Sequence, residues 1–249
     1  MEPSSTPDDV QAAAMQWPSH YDLVAVAASA GGLPALMQIL RALPPDFTTP
    51  IVIVQHRSAR HQQMLPAILK RVSPLRVKSA ESGERLSPGT VYIAPADYHL
   101  VLQPNHTLYF MDGMRIKFLL ASANPLLESA AEVLKERVIA VVLTGGGSDA
   151  TDGVQAVKKM GGIVIAQNPE EAEHPSMPTS AIQTGAVDYV LSVDEIGPAL
   201  VRLAHGPNGA SAKRRRCHPA RVPDRAGAKR REVPDDASPD SELPNGDKR

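Results

Sequence analysis

Three short apolar runs, each stopped by a polar or glycine-bearing turn, constrain this chain more than any other feature. Asp22-Leu23-Val24-Ala25-Val26-Ala27-Ala28 is apolar enough for a buried strand, Ser29-Ala30-Gly31-Gly32 breaks it, and Leu33 to Leu40 begins a helix-like pattern. Ile51-Val52-Ile53-Val54-Gln55 ends at His56, and Val138 to Leu143 runs into Thr144-Gly145-Gly146-Gly147-Ser148-Asp149. Runs that are apolar throughout, rather than alternating, suit strands covered on both faces, as in a parallel sheet.

The rest of the pattern supports that reading. Helices are expected near 33–42, 61–72, 125–136, 150–160 and 195–204, with further strands near 162–166 and 187–191. Between them strands are expected near 75–79, 90–94, 99–103, 107–111 and 116–120, punctuated by Gly89, Pro95 and Asn105-His106; this middle reads as hairpins or an antiparallel margin. Strands alternating with helices predict an α/β fold, doubly wound around a mostly parallel sheet with an antiparallel hairpin margin.

Composition bounds the organisation. The 249 residues suffice for one large domain. From Gly206 onward the chain is polar and charged, too poor in large apolar residues to offset its own ordering entropy. The expected division is a flexible leader at 1–20, one domain at 21–205 and a disordered charged tail at 206–249. The formal net charge of −1 hides a split: residues 1–205 carry 15 basic and 20 acidic side chains, residues 206–249 carry 11 and 7. The tail clusters Lys213-Arg214-Arg215-Arg216 and Lys229-Arg230-Arg231 have the chemistry to touch nucleic acid or acidic lipid, but a solvated tail explains them as well, and no nucleic-acid partner is expected. The single cysteine, Cys217, leaves no disulfide framework within the chain. With no long apolar span and no secretory signal pattern, the expected compartment is the cytoplasm, without membrane insertion.

The polar residues at the ends of the three runs carry the chemistry. In an open parallel sheet the C-terminal strand ends share one edge, where ligands bind. A serine at a strand-to-helix turn places its hydroxyl beside the unpaired N–H groups of a helix N-terminus, so a nucleophile there has an oxyanion site built in. Ser29, His56 and Asp149 are therefore candidates for nucleophile, general base and orienting carboxylate. Taken singly, a serine after a strand is more often a helix N-cap, His56 could be a satisfied core histidine and Asp149 a helix cap; it is their joint placement at three strand ends that favours catalysis. His61, His99 and His106 compete with His56 as the base. Two other site types fit less well. The glycine turns suit an anion but match neither a dinucleotide fingerprint nor a phosphate loop. Asp149, Asp152 and His174 lack compact metal-ligand spacing. No metal or organic cofactor is expected.

At this point the chain resembles a known family, the catalytic domain of the bacterial chemotaxis protein-glutamate methylesterases (CheB). The resemblance runs from about Asp22 to Ala204. It rests on Ala27-Ala28-Ser29-Ala30-Gly31-Gly32, Val54-Gln55-His56, Ile93-Ala94-Pro95 through His99, Leu143 through Asp149, and Ser176-Met177-Pro178. It implies Ser29 as nucleophile, His56 as general base and Asp149 as orienting carboxylate. Oxyanion and substrate-binding roles then fall to Ala30, Gly31, Gly146, Gly147, His99 and Met177. The implied activity is hydrolysis of glutamyl methyl esters on methyl-accepting chemoreceptor-type proteins, with deamidation of glutamines beside it. Alternatives are an esterase or amidase with another substrate, or a non-catalytic binding domain of the same fold.

The sequence departs from the family pattern at Ala30, where threonine is usual, at Gly146 and Ala150 of the glycine-rich turn, and at Ala123-Asn124-Pro125-Leu126. These changes leave the three catalytic candidates in place and bear on substrate choice. In the family this domain usually follows a receiver domain. Here about 20 residues precede the first strand, so the expectation is a stand-alone domain that is constitutive, controlled by a separate regulatory partner, or restrained by its own tail.

Overall fold

The computed structural model describes residues 21–56, 64–111 and 121–205. Within them the elements follow in the order β1 (Leu23–Ala28), α1 (Gly32–Arg41), β2 (Ile51–Gln55), α2 (Met64–Lys70), β3 (Arg76–Ser79), β4 (Thr90–Ile93), β5 (His99–Leu102), β6 (Leu108–Met111), α3 (Asn124–Leu134), β7 (Val138–Val142), α4 (Thr151–Lys159), β8 (Ile163–Gln167), α5 (Ser176–Gln183), β9 (Tyr189–Leu191) and α6 (Val193–His205). A single 3₁₀ turn, Lys135–Arg137, joins α3 to β7. The leader, the tail, the expected strand at 116–120 and the start of the helix expected at 61–72 lie outside the described residues.

Seven strands form one sheet in the order β3-β4-β2-β1-β7-β8-β9, and every pairing within it is parallel. Strand β1 is central and buried over its whole length, as its unbroken apolar run requires. The strands alternate sides. Val24, Val26, Ala28, Ile51, Ile53, Ile139 and Val141 enter one core with α1 and α6. Leu23, Ala25, Ala27, Val52, Val54, Ala140 and Val142 enter the other with α3, α4 and α5. Helix α3 shows the cost of losing such a face: Leu126, Leu127 and Leu134 are each 1 % exposed, worth about 1.5–3 kcal/mol apiece by burial.

The middle of the chain differs from its sequence reading. Among the described residues the expected antiparallel hairpin is the pair β5–β6, whereas β3 and β4 are parallel members of the main sheet. Their connection holds no helix, so the usual sign of a parallel crossover is missing from the sequence. Helix α5 was not anticipated either. Its eight residues include Pro178 and offer little 3.6-residue periodicity. Among the described residues, no helix is long and apolar enough to cross a membrane.

Candidate active site

The C-terminal ends of β2, β1 and β7 lie side by side, and each hands over to one of the candidate residues. Ala28 and Gln55 are register partners in β1 and β2, and the His56 N–H donates to the Ala28 carbonyl at 3.0 Å. Ser29 and His56 are thus the next pair along two strands whose spacing is about 4.8 Å. Continuing the alternation of Ala27 and of Val52 and Val54 carries both toward the face covered by α3.

Ser29 sits in a turn held from both sides. Its N–H donates to the Thr144 carbonyl at 3.0 Å, while its own carbonyl accepts from the Gly32 N–H at 2.9 Å and the Gln55 Nε2 amide at 2.6 Å. Gly31, just before α1, has φ of 73°, a left-handed conformation that glycine adopts without penalty. Among the described residues, the N–H groups of Ala30 and Gly31 have no protein acceptor. They open the N-terminus of α1, where the helix dipole favours negative charge.

His56 Nε2 lies 2.8 Å from Asp149 Oδ2, with the two side chains only 13 % and 3 % exposed. Asp149 arrives from the far side of β1 and is anchored by two further donors, the Ala123 N–H at 2.7 Å and the Ser122 hydroxyl at 2.5 Å. Burial pushes its carboxyl up, but the hydrogen bonds from His56, Ala123 and Ser122 outweigh this and hold it below the usual carboxylate range. An ionised carboxylate only accepts hydrogen bonds, so His56 carries its proton on Nε2 and presents the Nδ1 lone pair. In the familiar serine-protease arrangement the ring is used the other way round.

The remaining expected residues divide by exposure. Ala30, Gly146 and Gly147 are exposed at this edge, and Gly31 is half-buried against the Glu173 side chain. His99 is 2 % exposed, and its Nδ1 accepts the Ser122 N–H at 3.0 Å. Met177 is fully buried, its Sδ packed behind Gly145. These two support the site from behind instead of facing it, because the hairpin and α5 fold them into the α3-side core. His61 lies outside the described residues. His106 is at the opposite end of the sheet; burial and the nearby Arg85 and Arg137 lower its pKa, against a raising influence from Asp22 at the start of β1. Among the described residues, no group of three or more His, Cys, Asp or Glu side chains is placed to hold a metal ion. Sequence reasoning missed Ser122 and Ala123, and gave Gln55 no role.

The family model for CheB methylesterase matches residues 24–200. The chain belongs to this family. A relative from Thermotoga maritima named protein-glutamate methylesterase/protein-glutamine glutaminase is 41% identical over 184 residues, covering 73% of this chain and 54% of that protein. The Myxococcus xanthus protein-glutamate methylesterase FrzG is 39% identical over 185 residues, covering 74% of this chain and 55% of its own length. A Leptospira interrogans protein, provisionally given both activities by name, is 40% identical, covering 74% of this chain and 95% of its own length. The crystal structure of the Thermotoga maritima CheB methylesterase catalytic domain superposes with a TM-score of 0.70 at 40% identity, covering 73% of this chain and 97% of that one. The family is one of carboxylic ester hydrolases, and its fold is the doubly wound sheet described above.

Proposed function

We propose that this protein is a protein-glutamate methylesterase acting on a chemoreceptor-type protein, with Ser29 as nucleophile, His56 as general base and Asp149 as orienting carboxylate. The observation that carries the reading is the His56–Asp149 contact, with Ser29 opposite His56, one step beyond the Ala28–Gln55 register pair. The names of the CheB relatives support the substrate class, glutamyl methyl esters and glutamine side chains.

In this mechanism His56 Nδ1 takes the Ser29 hydroxyl proton as Oγ attacks the ester carbonyl. The proton returns to the leaving oxygen, methanol departs, and water hydrolyses the glutamyl-enzyme ester by the same route. Asp149 stabilises the imidazolium without itself being protonated. The open N–H groups of Ala30 and Gly31, with the exposed Gly146 and Gly147 at the same sheet edge, receive the oxyanion. One such donor is worth about 10²–10³ in rate, and a placed base about 10²–10⁴. The same attack on a glutamine amide releases ammonia. The proposed compartment is the cytoplasm, in keeping with a chain whose single cysteine forms no internal disulfide.

Methanol release from methylated receptor membranes tests the reading. Wild-type protein is expected to release methanol and Ser29→Ala to release none. A folded wild type that releases none overturns the substrate assignment.

A further inference from the structure

We propose that Ser122, locked in place by the buried His99, is a positioning residue that fixes the Asp149 carboxylate against His56. The inference rests on the triad reading above and deepens it by assigning what holds the third member.

Asp149 needs an outside anchor. Gly146, Gly147 and Ser148, which lead into it, are exposed, and added Cβ atoms at the two glycines would meet nothing within 4 Å. Its own turn is tied through the Ser148 carbonyl, which accepts from the Thr151 hydroxyl at 2.9 Å, but no packing around the two glycines sets the direction of the carboxylate. The Oδ2 atom takes both His56 and the Ala123 N–H, so these two bonds leave the carboxylate free to swivel about that oxygen. The Ser122 hydroxyl engages the other oxygen, Oδ1, at 2.5 Å, and this third bond fixes the carboxylate plane.

The direction of the Ser122 hydroxyl is also settled. A carboxylate cannot donate, so the hydroxyl proton goes to Asp149 while a lone pair accepts the Asn124 N–H at 3.2 Å. That N–H belongs to the first turn of α3, so the hydroxyl relays the positive end of the helix onto the carboxylate. The Ser122 main chain is held in turn by His99 of β5, whose Nδ1 accepts the Ser122 N–H at 3.0 Å. Both residues are almost wholly inaccessible, at 1 % for Ser122 and 2 % for His99. Neither is exposed at the strand-end edge, so both act through Asp149.

The test uses the full chain and a fluorophosphonate probe, whose rate of reaction with Ser29 needs no knowledge of the substrate. Ser122→Ala is expected to slow labelling by roughly 10- to 100-fold, the range for one hydrogen bond to a charged group. It is also expected to weaken the downfield proton resonance of His56 Nε2–H, while Ser122→Thr recovers most of the rate. His99→Leu should reproduce the defect, and His99→Asn, which keeps an acceptor near the Nδ1 position, should recover most of it. If Ser122→Ala changes the melting temperature but leaves the labelling rate and the His56 resonance as in wild type, Ser122 only caps α3 and the proposal falls. Failure of the functional reading looks different. A wild type that labels at Ser29 yet releases no methanol loses its substrate assignment, and a wild type that does not label loses the triad itself.

Discussion

The turn after β1 and the turn after β7 both end on a left-handed residue before a helix, Gly31 at φ 73° and Ala150 at φ 75°, yet they hold their reactive residues differently. The first is short. Ser29 follows its strand directly, and neighbouring main chain and the Gln55 amide fix it through its own backbone. The second must cross over β1 to bring Asp149 to His56. Its first half, Thr144 and Gly145, is buried, its middle is open, and its end is fixed by side-chain bonds to residues ahead of α3. The proposed nucleophile is aimed by strand register and its own backbone bonds, whereas the proposed orienting carboxylate, delivered on a long turn, is anchored by bonds to its side chain from elsewhere in the fold.

Changes at the far end of the long turn are expected to have the largest effect. Asp149→Asn keeps the shape but offers His56 an amide, favouring the wrong tautomer, and is expected to lower kcat by about 10⁴, as measured on methylated receptor or an activated ester. The same residue carries an acid dependence. Because the folded carboxyl sits below its unfolded value, its contribution to stability is complete above the ordinary carboxylate range and is lost as pH falls through the folded value. Denaturant melts of the wild type should therefore weaken toward acid pH more steeply than those of Asp149→Asn.

Next is the buried half of the same turn. A Cβ on Gly145 would lie 2.7 Å from Ser29 Cβ and would overlap Met177 Sδ. Gly145→Ala should cost about 1–3 kcal/mol in denaturant melts, and should also slow turnover by displacing Ser29. The short turn is predicted to be somewhat more forgiving. Ala150 shows that alanine is accommodated at a left-handed position before a helix, but at Gly31 a Cβ would meet Glu173 Cβ at 2.8 Å. Gly31→Ala should cost about 1–2 kcal/mol for its backbone conformation alone, with an added part that Glu173→Gly, which removes the opposing Cβ, relieves in the same chain. A full loss unaffected by Glu173→Gly, measured against Glu173→Gly alone, would assign the whole cost to the backbone. Smallest of all, Gly146→Ala meets nothing within 4 Å and should change stability by less than about 0.5 kcal/mol, any effect appearing in KM.

The same contrast explains what the sequence made legible. The apolar runs of β1, β2 and β7 and the polar residues ending them could be read directly, because burial on both faces leaves an unbroken apolar signature. Strands β3 and β4 were recognised as strands but placed in the wrong partnership. Four-residue strands joined without a helix carry no mark of parallel pairing. Ser122 could not be assigned at all: in sequence it is a serine ahead of a helix, and its partner Asp149 lies 27 residues away. His99 and Met177 stand in recognisable motifs, but only packing against α3 and Gly145 shows that they face inward.

The span between His56 and Asp149, 93 residues, also orders events during synthesis. On the proposed triad reading, at about 5–20 residues per second, roughly 5–20 s separate the emergence of His56 from that of the Asp149 carboxylate that orients it. Until β7 has joined the sheet, a nascent chain carries a serine and a histidine without a directed proton path. On that reading hydrolytic competence arrives in one late step, when the growing polypeptide closes its long turn across β1.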